Sequence, residues 1–164
     1  MSSASNQIGS YGEYVAAQLL LRRYSGKSYF DTVFLGDKYP TVDLLVELAE
    51  PPIGTGIVPY FFVQVKATNQ PTFTLGKRLG IQVRPKSVAK LLAYPAPTYI
   101  VGINTAPNPA EGFIFAARQG GPLSVSSIPT SHSIAVEATL QALYDEVLTF
   151  WQANPVNFTH SIFV

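Results

Sequence analysis

The chain has 164 residues, of which 47% are hydrophobic and only 13% are charged. This length fits one domain with a single core, and the high apolar content excludes a disordered tail. The formal net charge of +1 excludes a general attraction to polyanions, so any binding of nucleic acid would depend on a local patch.

Several chemistries are excluded by the residue types that are rare or missing. The chain has no cysteine, which excludes disulfides, thiolate metal sites and cysteine nucleophiles. It has only two histidines, which excludes a histidine-rich metal cage. The first ten residues lack the basic and apolar regions of a secretory signal, and no apolar run reaches the ~20 residues of a membrane span. We therefore expect a soluble, cytoplasmic protein with no membrane partner.

The first half of the chain is predicted to contain one helix and two strands. Helical spacing over residues 7–24 places Ala16, Ala17, Leu20 and Tyr24 on the same face as Glu13. A turn is expected at residues 37–40, a strand at 41–48, a loop at 50–56 and a nearly all-apolar strand at 59–67. Alternation in the first strand predicts one face formed by Val42, Leu44, Val46 and Leu48, with Asp43, Leu45 and Glu47 on the other face.

The second half is predicted to add further strands and two helices. Residues 68–80 are expected to form a β-hairpin or a mobile loop, and Pro85 is expected to begin a short helix that ends near Ala93. Strands are predicted at 98–104 and 112–117, a turn at 119–122 and a long helix at 134–151. The apolar residues 158–164 should dock on the domain. This order predicts a single α/β domain in which helices flank both faces of the sheet.

The most informative feature is a pair of polar residues in the apolar strand at 59–67. Gln64 and Lys66 are two residues apart and therefore project from the same face of that strand. Burying a lysine is costly unless it meets a partner or lines a cleft, so an anionic neighbour is expected. Asp43 and Glu13 are the candidates, because each lies in an apolar context on a neighbouring predicted element.

These four side chains together suit a hard divalent cation. Mg²⁺ or Mn²⁺ prefers oxygen ligands, which Glu13, Asp43, the Gln64 side chain and the Val65 carbonyl would supply. Lys66 would then orient an attacking water or stabilise charge on a pentacoordinate phosphorus.

The order of these residues resembles that of the PD-(D/E)XK nuclease superfamily. Gly12-Glu13 and the apolar residues that follow resemble the first helix of archaeal Holliday-junction resolvases, and Val63-Gln64-Val65-Lys66 resembles the Gln-x-Lys variant of Mrr-type restriction endonucleases. The similarity covers residues 7–68. It implies a restriction-endonuclease-like fold with a central mixed β-sheet and a metal-dependent DNA endonuclease acting in defence, repair or mobile-element processing.

The same resemblance assigns roles to individual residues. Asp43 and Glu13 would be metal ligands, Gln64 would occupy a position that is usually acidic, and Lys66 would be the catalytic lysine. The neutral Gln64 should weaken the affinity for metal. Many similar proteins are dimers, and the apolar C-terminal segment would allow a homodimer.

Two other interpretations remain open for the same residues. A nuclease-like fold could serve as a catalytically inactive binding or assembly module, which the neutral Gln64 and the small net charge favour. Glu13 and Asp43 could instead form the acid/base pair of a glycoside hydrolase, although the single tryptophan argues against a sugar platform.

A group of basic residues follows the predicted strand at 59–67. Such residues could contact the phosphates of a nucleic acid, although an ordinary solvated surface is the favoured explanation. The group consists of Lys77, Arg78, Arg84 and Lys86.

Overall fold

The computed structural model describes residues 4–52, 56–75 and 77–164. In this part of the chain the elements are α1 (Ala4–Leu20), β1 (Phe30–Phe34), a 3-10 turn (Gly36–Lys38), β2 (Leu44–Leu48), β3 (Tyr60–Thr68), β4 (Phe73–Thr74), β5 (Arg78–Val83), α2 (Pro85–Leu92), β6 (Thr98–Asn104), β7 (Glu111–Ala117), β8 (Val125–Pro129) and α3 (Glu137–Ala153).

The centre of the fold is a mixed sheet with the strand order β1-β2-β3-β6-β7. β3 and β6 are parallel, while β1 with β2, β2 with β3, and β6 with β7 are antiparallel. Every residue of β6 is buried, and Phe61, Phe62 and Val63 of β3 are buried as well. This confirms the predicted α/β class, in which near-continuous apolar runs form the central strands.

The two faces of the central sheet are covered by different layers. On one face, α1 and α3 pack their apolar residues against β1, β2, β3 and β6. On the other face, α2 lies beside a three-stranded sheet with the order β4-β5-β8. For residues 68–80 of the second sheet, only a hairpin or a mobile loop was predicted, and residue 76 lies outside the described residues.

Helix α1 approaches β3 so closely that a side chain at one position would collide with the strand. A Cβ added to Gly12 would overlap the Cβ of Ala67 on β3. A glycine at this position therefore permits the close packing of α1 on β3. This contact sets the distance between α1 and the end of β3. Because Glu13 is the next residue along the helix, the contact also determines how close Glu13 lies to the strand.

The C-terminal residues dock on the core, as predicted. Phe158 and Phe163 are buried, and the carbonyl of Phe163 accepts a 2.8 Å hydrogen bond from the N–H of Ala116 on β7. The Glu146 carboxylate on α3 accepts hydrogen bonds from the Tyr99 hydroxyl at 2.6 Å and from the Ser161 hydroxyl at 2.7 Å. The tail is thus held to α3 and to the central sheet by both apolar and polar contacts.

Several predicted boundaries were wrong. Helix α1 ends at Leu20, so Tyr24 lies outside it, and α3 begins at Glu137 rather than at residue 134. β2 begins at Leu44 because Thr41 has a positive φ of 81°. Val42 therefore packs in the core layer opposite to that of Leu44. Strands β1 and β8 were not predicted, and part of the predicted loop at 50–56, residues 53–55, lies outside the described residues.

Within residues 4–52, 56–75 and 77–164, none of the helices combines the length and apolar character that crossing a membrane requires.

Candidate functional site

Asp43 lies at the point where β2 and β3 separate. Its N–H donates to the Val63 carbonyl at 2.8 Å, and its carbonyl accepts from the N–H of Leu35 at 3.0 Å. Its side chain also binds β3: the carboxylate oxygen Oδ2 accepts a 2.6 Å hydrogen bond from the N–H of Val65, in place of a backbone carbonyl. Asp43 thus binds both residues that flank Gln64, which places the carboxylate beside the middle of β3.

The backbone just before Asp43 has an unusual conformation. Thr41 has φ 81°, a left-handed conformation that a β-branched residue adopts only at a cost. Strain of this kind persists where the surrounding structure fixes the chain, and it occurs often at functional sites. Here the strained turn leads directly into the residue that bridges β1 and β3.

Gln64 lies on β3 with a side chain that is buried but not satisfied. It is only 5% exposed, and its Oε1 accepts no hydrogen bond from any other described residue. A buried amide oxygen without a partner is rare, because leaving it unpaired costs about 1–3 kcal/mol. This oxygen is therefore available to a group that the protein itself does not supply.

Lys66 projects from the same face of β3 as Gln64 and is partly buried. Its positive charge lowers the pKa of the Asp43 carboxyl. An amide and an ammonium on β3 and an acid just before β2 thus occupy neighbouring positions in the sheet.

Glu13 reaches the same region from helix α1. Burial raises the pKa of its carboxyl, and the negative charges of Asp43 and Asp37 raise it further. The first of these charges shows that Glu13 and Asp43 share one electrostatic environment. Glu13 and Lys66 thus each interact through charge with Asp43, and Gln64 lies between the two β3 residues that Asp43 binds.

The pKa of the Asp43 carboxyl is subject to opposing effects. Burial raises its pKa above the usual value, whereas the hydrogen bond from Val65 and the positive charge of Lys66 lower it. The net pKa is raised, so the ionised form of Asp43 is not fully compensated by the protein. An additional cation would relieve both this carboxylate and Glu13.

One acidic residue of this region was not identified from the sequence. Asp37, in the 3-10 turn, acts on Glu13, although residues 37–40 were interpreted only as a turn. Turns commonly contain aspartate for reasons of backbone geometry, so the residue type gave no indication of a site. Only the folded chain brings this turn next to α1.

The basic residues predicted to contact phosphates lie on other elements. Lys77 is exposed in the β4–β5 turn, while Arg84 and Lys86 are exposed at the start of α2. The Arg78 guanidinium donates to the hydroxyl and the carbonyl of Ser127 on β8, so this arginine stabilises the three-stranded sheet. Contact of these four residues with a nucleic acid remains a prediction.

The donor set at the site is mixed rather than purely acidic. Among the residues that the structure describes, no group of three or more His, Cys, Asp or Glu residues is arranged to hold a metal ion. A cation at this site would instead use two carboxylates and the neutral oxygens of β3. Such a set is compatible with Mg²⁺, which retains several waters.

No family model, no curated protein and no solved structure matches this chain.

Proposed function

We propose that the chain is a restriction-endonuclease-like, metal-dependent DNA endonuclease that hydrolyses phosphodiester bonds. The observation that supports this most strongly is the buried, unpartnered Gln64 oxygen next to Asp43, whose carboxyl has a raised pKa. The order of the site residues also supports the proposal. Glu13 lies on the first helix, Asp43 directly before β2, and Gln64 and Lys66 on β3, the antiparallel neighbour of β2.

The residues present fit a divalent cation. Glu13, Asp43 and the Gln64 side chain offer hard oxygen donors, and the unpaired Gln64 oxygen would gain the partner it lacks. The Val65 N–H donates toward β2, and the carbonyl of a strand residue faces the same side as its N–H. When bound, Mg²⁺ or Mn²⁺ would supply an activated water and neutralise charge on the phosphate.

The reaction consists of one displacement at phosphorus. The oxygen of a water molecule forms a bond to phosphorus, the bond from phosphorus to the leaving sugar oxygen breaks, and a proton from the water ends on that oxygen. Lys66 stabilises the negative charge that builds on the non-bridging oxygens in the transition state. Asp43 interacts with Lys66 through charge, and Glu13 adds a second negative charge to the site.

A second candidate function is a catalytically inactive module with the same fold. Gln64 is neutral, and the net charge of the whole chain is only +1. Both features would weaken the binding of metal and of DNA. Calorimetric titration with Mn²⁺ separates the two candidates, since an inactive module has no need to bind the ion.

The experiment that tests catalysis is a cleavage assay with a matched pair of lysine variants. Plasmid, Holliday-junction and single-stranded DNA are incubated with the protein in Mg²⁺, in Mn²⁺ and in EDTA. We expect Lys66→Ala to lower the rate by about a hundredfold or more, because it removes charge stabilisation of the transition state. Lys90→Ala, an exposed lysine on α2, should cleave at the normal rate. Cleavage that persists in EDTA or in Lys66→Ala would contradict the proposal.

The raised pKa values of Glu13 and Asp43 predict the pH dependence of the reaction. Both groups must be ionised to hold a cation, so activity should fall as the pH decreases through their raised pKa values. This loss should begin at a higher pH than the ordinary values of 4.5 and 3.8 for these two residue types. More Mn²⁺ should move the loss to lower pH, because the ion competes with the protons.

The measurement is the cleavage rate from about pH 4 to about pH 8 at two concentrations of Mn²⁺. In EDTA the stability of the folded protein should increase as the pH decreases, whereas the cleavage rate decreases. A carboxyl with a raised pKa contributes stability below that pKa and loses it as the pH rises. A cleavage rate that stays constant down to about pH 4, with no effect of Mn²⁺, would contradict this prediction.

A further inference from the structure

Three aromatic side chains form an exposed surface beside the candidate site. Tyr11 is 54%, Tyr14 65% and Phe34 45% exposed. The rings of Tyr14 and Phe34 are in contact, with their centroids 5.2 Å apart and their planes inclined by 52°. Tyr11 lies three residues before Tyr14 on α1 and therefore on the same side of the helix. We refer to Tyr11, Tyr14 and Phe34 as the aromatic rim.

The aromatic rim is continuous with the residues that form the site. Tyr14 directly follows Glu13 on α1, and Phe34 directly precedes Leu35, whose N–H binds the carbonyl of Asp43. The contact between Tyr14 and Phe34 and the hydrogen bond between Leu35 and Asp43 connect these rings to the segments that bear Glu13 and Asp43. Exposed apolar groups that adjoin a polar site are typical of a binding surface.

The charges near the site indicate which kind of nucleic acid would bind. Glu13, Asp43 and Asp37 are all acidic, and the whole chain has a net charge of only +1. Binding of an intact duplex depends on many contacts between cations and phosphates. Here one cation, Lys66, accompanies the three acids. Stacking of bases on aromatic rings adds affinity beyond the contacts with phosphates, and it requires bases that are not paired.

We propose that the aromatic rim stacks against unpaired bases next to the scissile phosphate, so that the substrate is DNA with a single-stranded segment. This inference rests on the proposed nuclease function and specifies its substrate class. Tyr14 and Phe34 are the principal contacts, because their rings already form one pair with both members exposed. Tyr11 extends the same surface along α1.

Binding can be measured without cleavage. Fluorescence anisotropy in EDTA compares a labelled oligonucleotide of about 15 nucleotides, single-stranded, with its perfect duplex. We expect the full chain to bind the single strand more tightly. The Tyr14→Leu/Phe34→Leu double variant keeps apolar bulk but removes the aromatic faces, and it should bind the single strand about tenfold more weakly or worse.

Two control variants separate stacking from general effects. Tyr14→Phe retains the ring and should bind as the unmodified chain does. Leu123→Ala removes an apolar side chain that is 76% exposed in the loop before β8, and it should also have no effect. Both substitutions of the double variant lie at exposed positions, so we expect the fold to be unchanged. Circular dichroism checks this expectation.

Each result supports or overturns the inference. Equal or tighter binding of the duplex overturns it, as does a double variant that binds the single strand normally. A dimer that the double variant converts to a monomer would show that the rim is a subunit interface, which also overturns it. If the double variant cleaves intact duplex DNA at the normal rate, the proposed nuclease function would still hold, but the proposed single-stranded substrate would be wrong. Ring-dependent binding without any cleavage would support the inference while the proposed catalysis fails.

Discussion

Asp43→Asn is expected to lower metal-dependent cleavage by about a hundredfold or more while leaving the folded protein equally stable or more stable. Residues that merely orient a metal ligand already contribute about 10–100-fold, so loss of the ligand charge itself should exceed that effect. Stability should not fall, because the asparagine side-chain oxygen can still accept the hydrogen bond from Val65. The ionised Asp43 carboxyl, by contrast, is disfavoured by burial, which raises its pKa.

Asp43→Ala is the matched variant that separates structure from chemistry. It removes the acceptor as well as the charge and leaves the Val65 N–H without a partner. We expect it to be about 1–3 kcal/mol less stable than Asp43→Asn, the cost of an unsatisfied buried donor. Urea unfolding in EDTA measures this difference. An Asp43→Asn protein that unfolds as readily as Asp43→Ala would show that the carboxylate is structural.

In EDTA, Asp43→Asn should be at least as stable as the unmodified chain, whereas in Mn²⁺ the unmodified chain should be the more stable of the two. A ligand that binds only the folded state stabilises it by about 2.7 kcal/mol at a hundred times its dissociation constant. The unmodified chain should gain this stability and Asp43→Asn should not. Gln64→Leu should give an intermediate gain, because it removes only a neutral donor, and in EDTA it should fold normally since it eliminates an unpaired buried oxygen.

The parts of the fold that could be predicted from the sequence are those with a strong local pattern. β3 and β6 are long apolar runs, and α2 begins with Pro85, so each was predicted nearly at its observed bounds. β1 and β8 are short, with mostly exposed or half-buried residues, and neither alternates regularly. Tertiary pairing with β2 and β5 determines these strands, and no local pattern expresses that pairing.

The site was predictable to the extent that buried polar residues are rare. Gln64 and Lys66 are conspicuous on an apolar strand, and the two candidate acids, Asp43 and Glu13, lie just before β2 and on α1. The way in which Asp43 uses its side chain in place of a backbone acceptor could not be predicted. It depends on the left-handed Thr41, an unusual conformation for which threonine gives no local indication.

Gly12→Ala is expected to destabilise the protein and to impair the site together. The new Cβ would overlap the Cβ of Ala67, and a strand backbone cannot move aside cheaply. Crowding of this kind costs about 1–3 kcal/mol, and the helix must lift away from β3 to relieve it. Glu13 would move with the helix, and a displacement of about 1 Å at a catalytic group can cost about a hundredfold in rate. Thermal unfolding and the cleavage assay measure the two effects.

The same helix supplies the control for this prediction. A Cβ on Gly9 meets nothing within 4 Å, so Gly9→Ala should stabilise the protein by about 0.5–1 kcal/mol through helix propensity alone. Ala67→Gly removes the atom that collides, so it should restore much of the stability and activity when combined with Gly12→Ala. If Gly12→Ala behaves like Gly9→Ala, then α1 does not need this close contact with β3. The position of Glu13 would then have to depend on other contacts of the helix, such as the packing of Ala16 and Leu20 in the core.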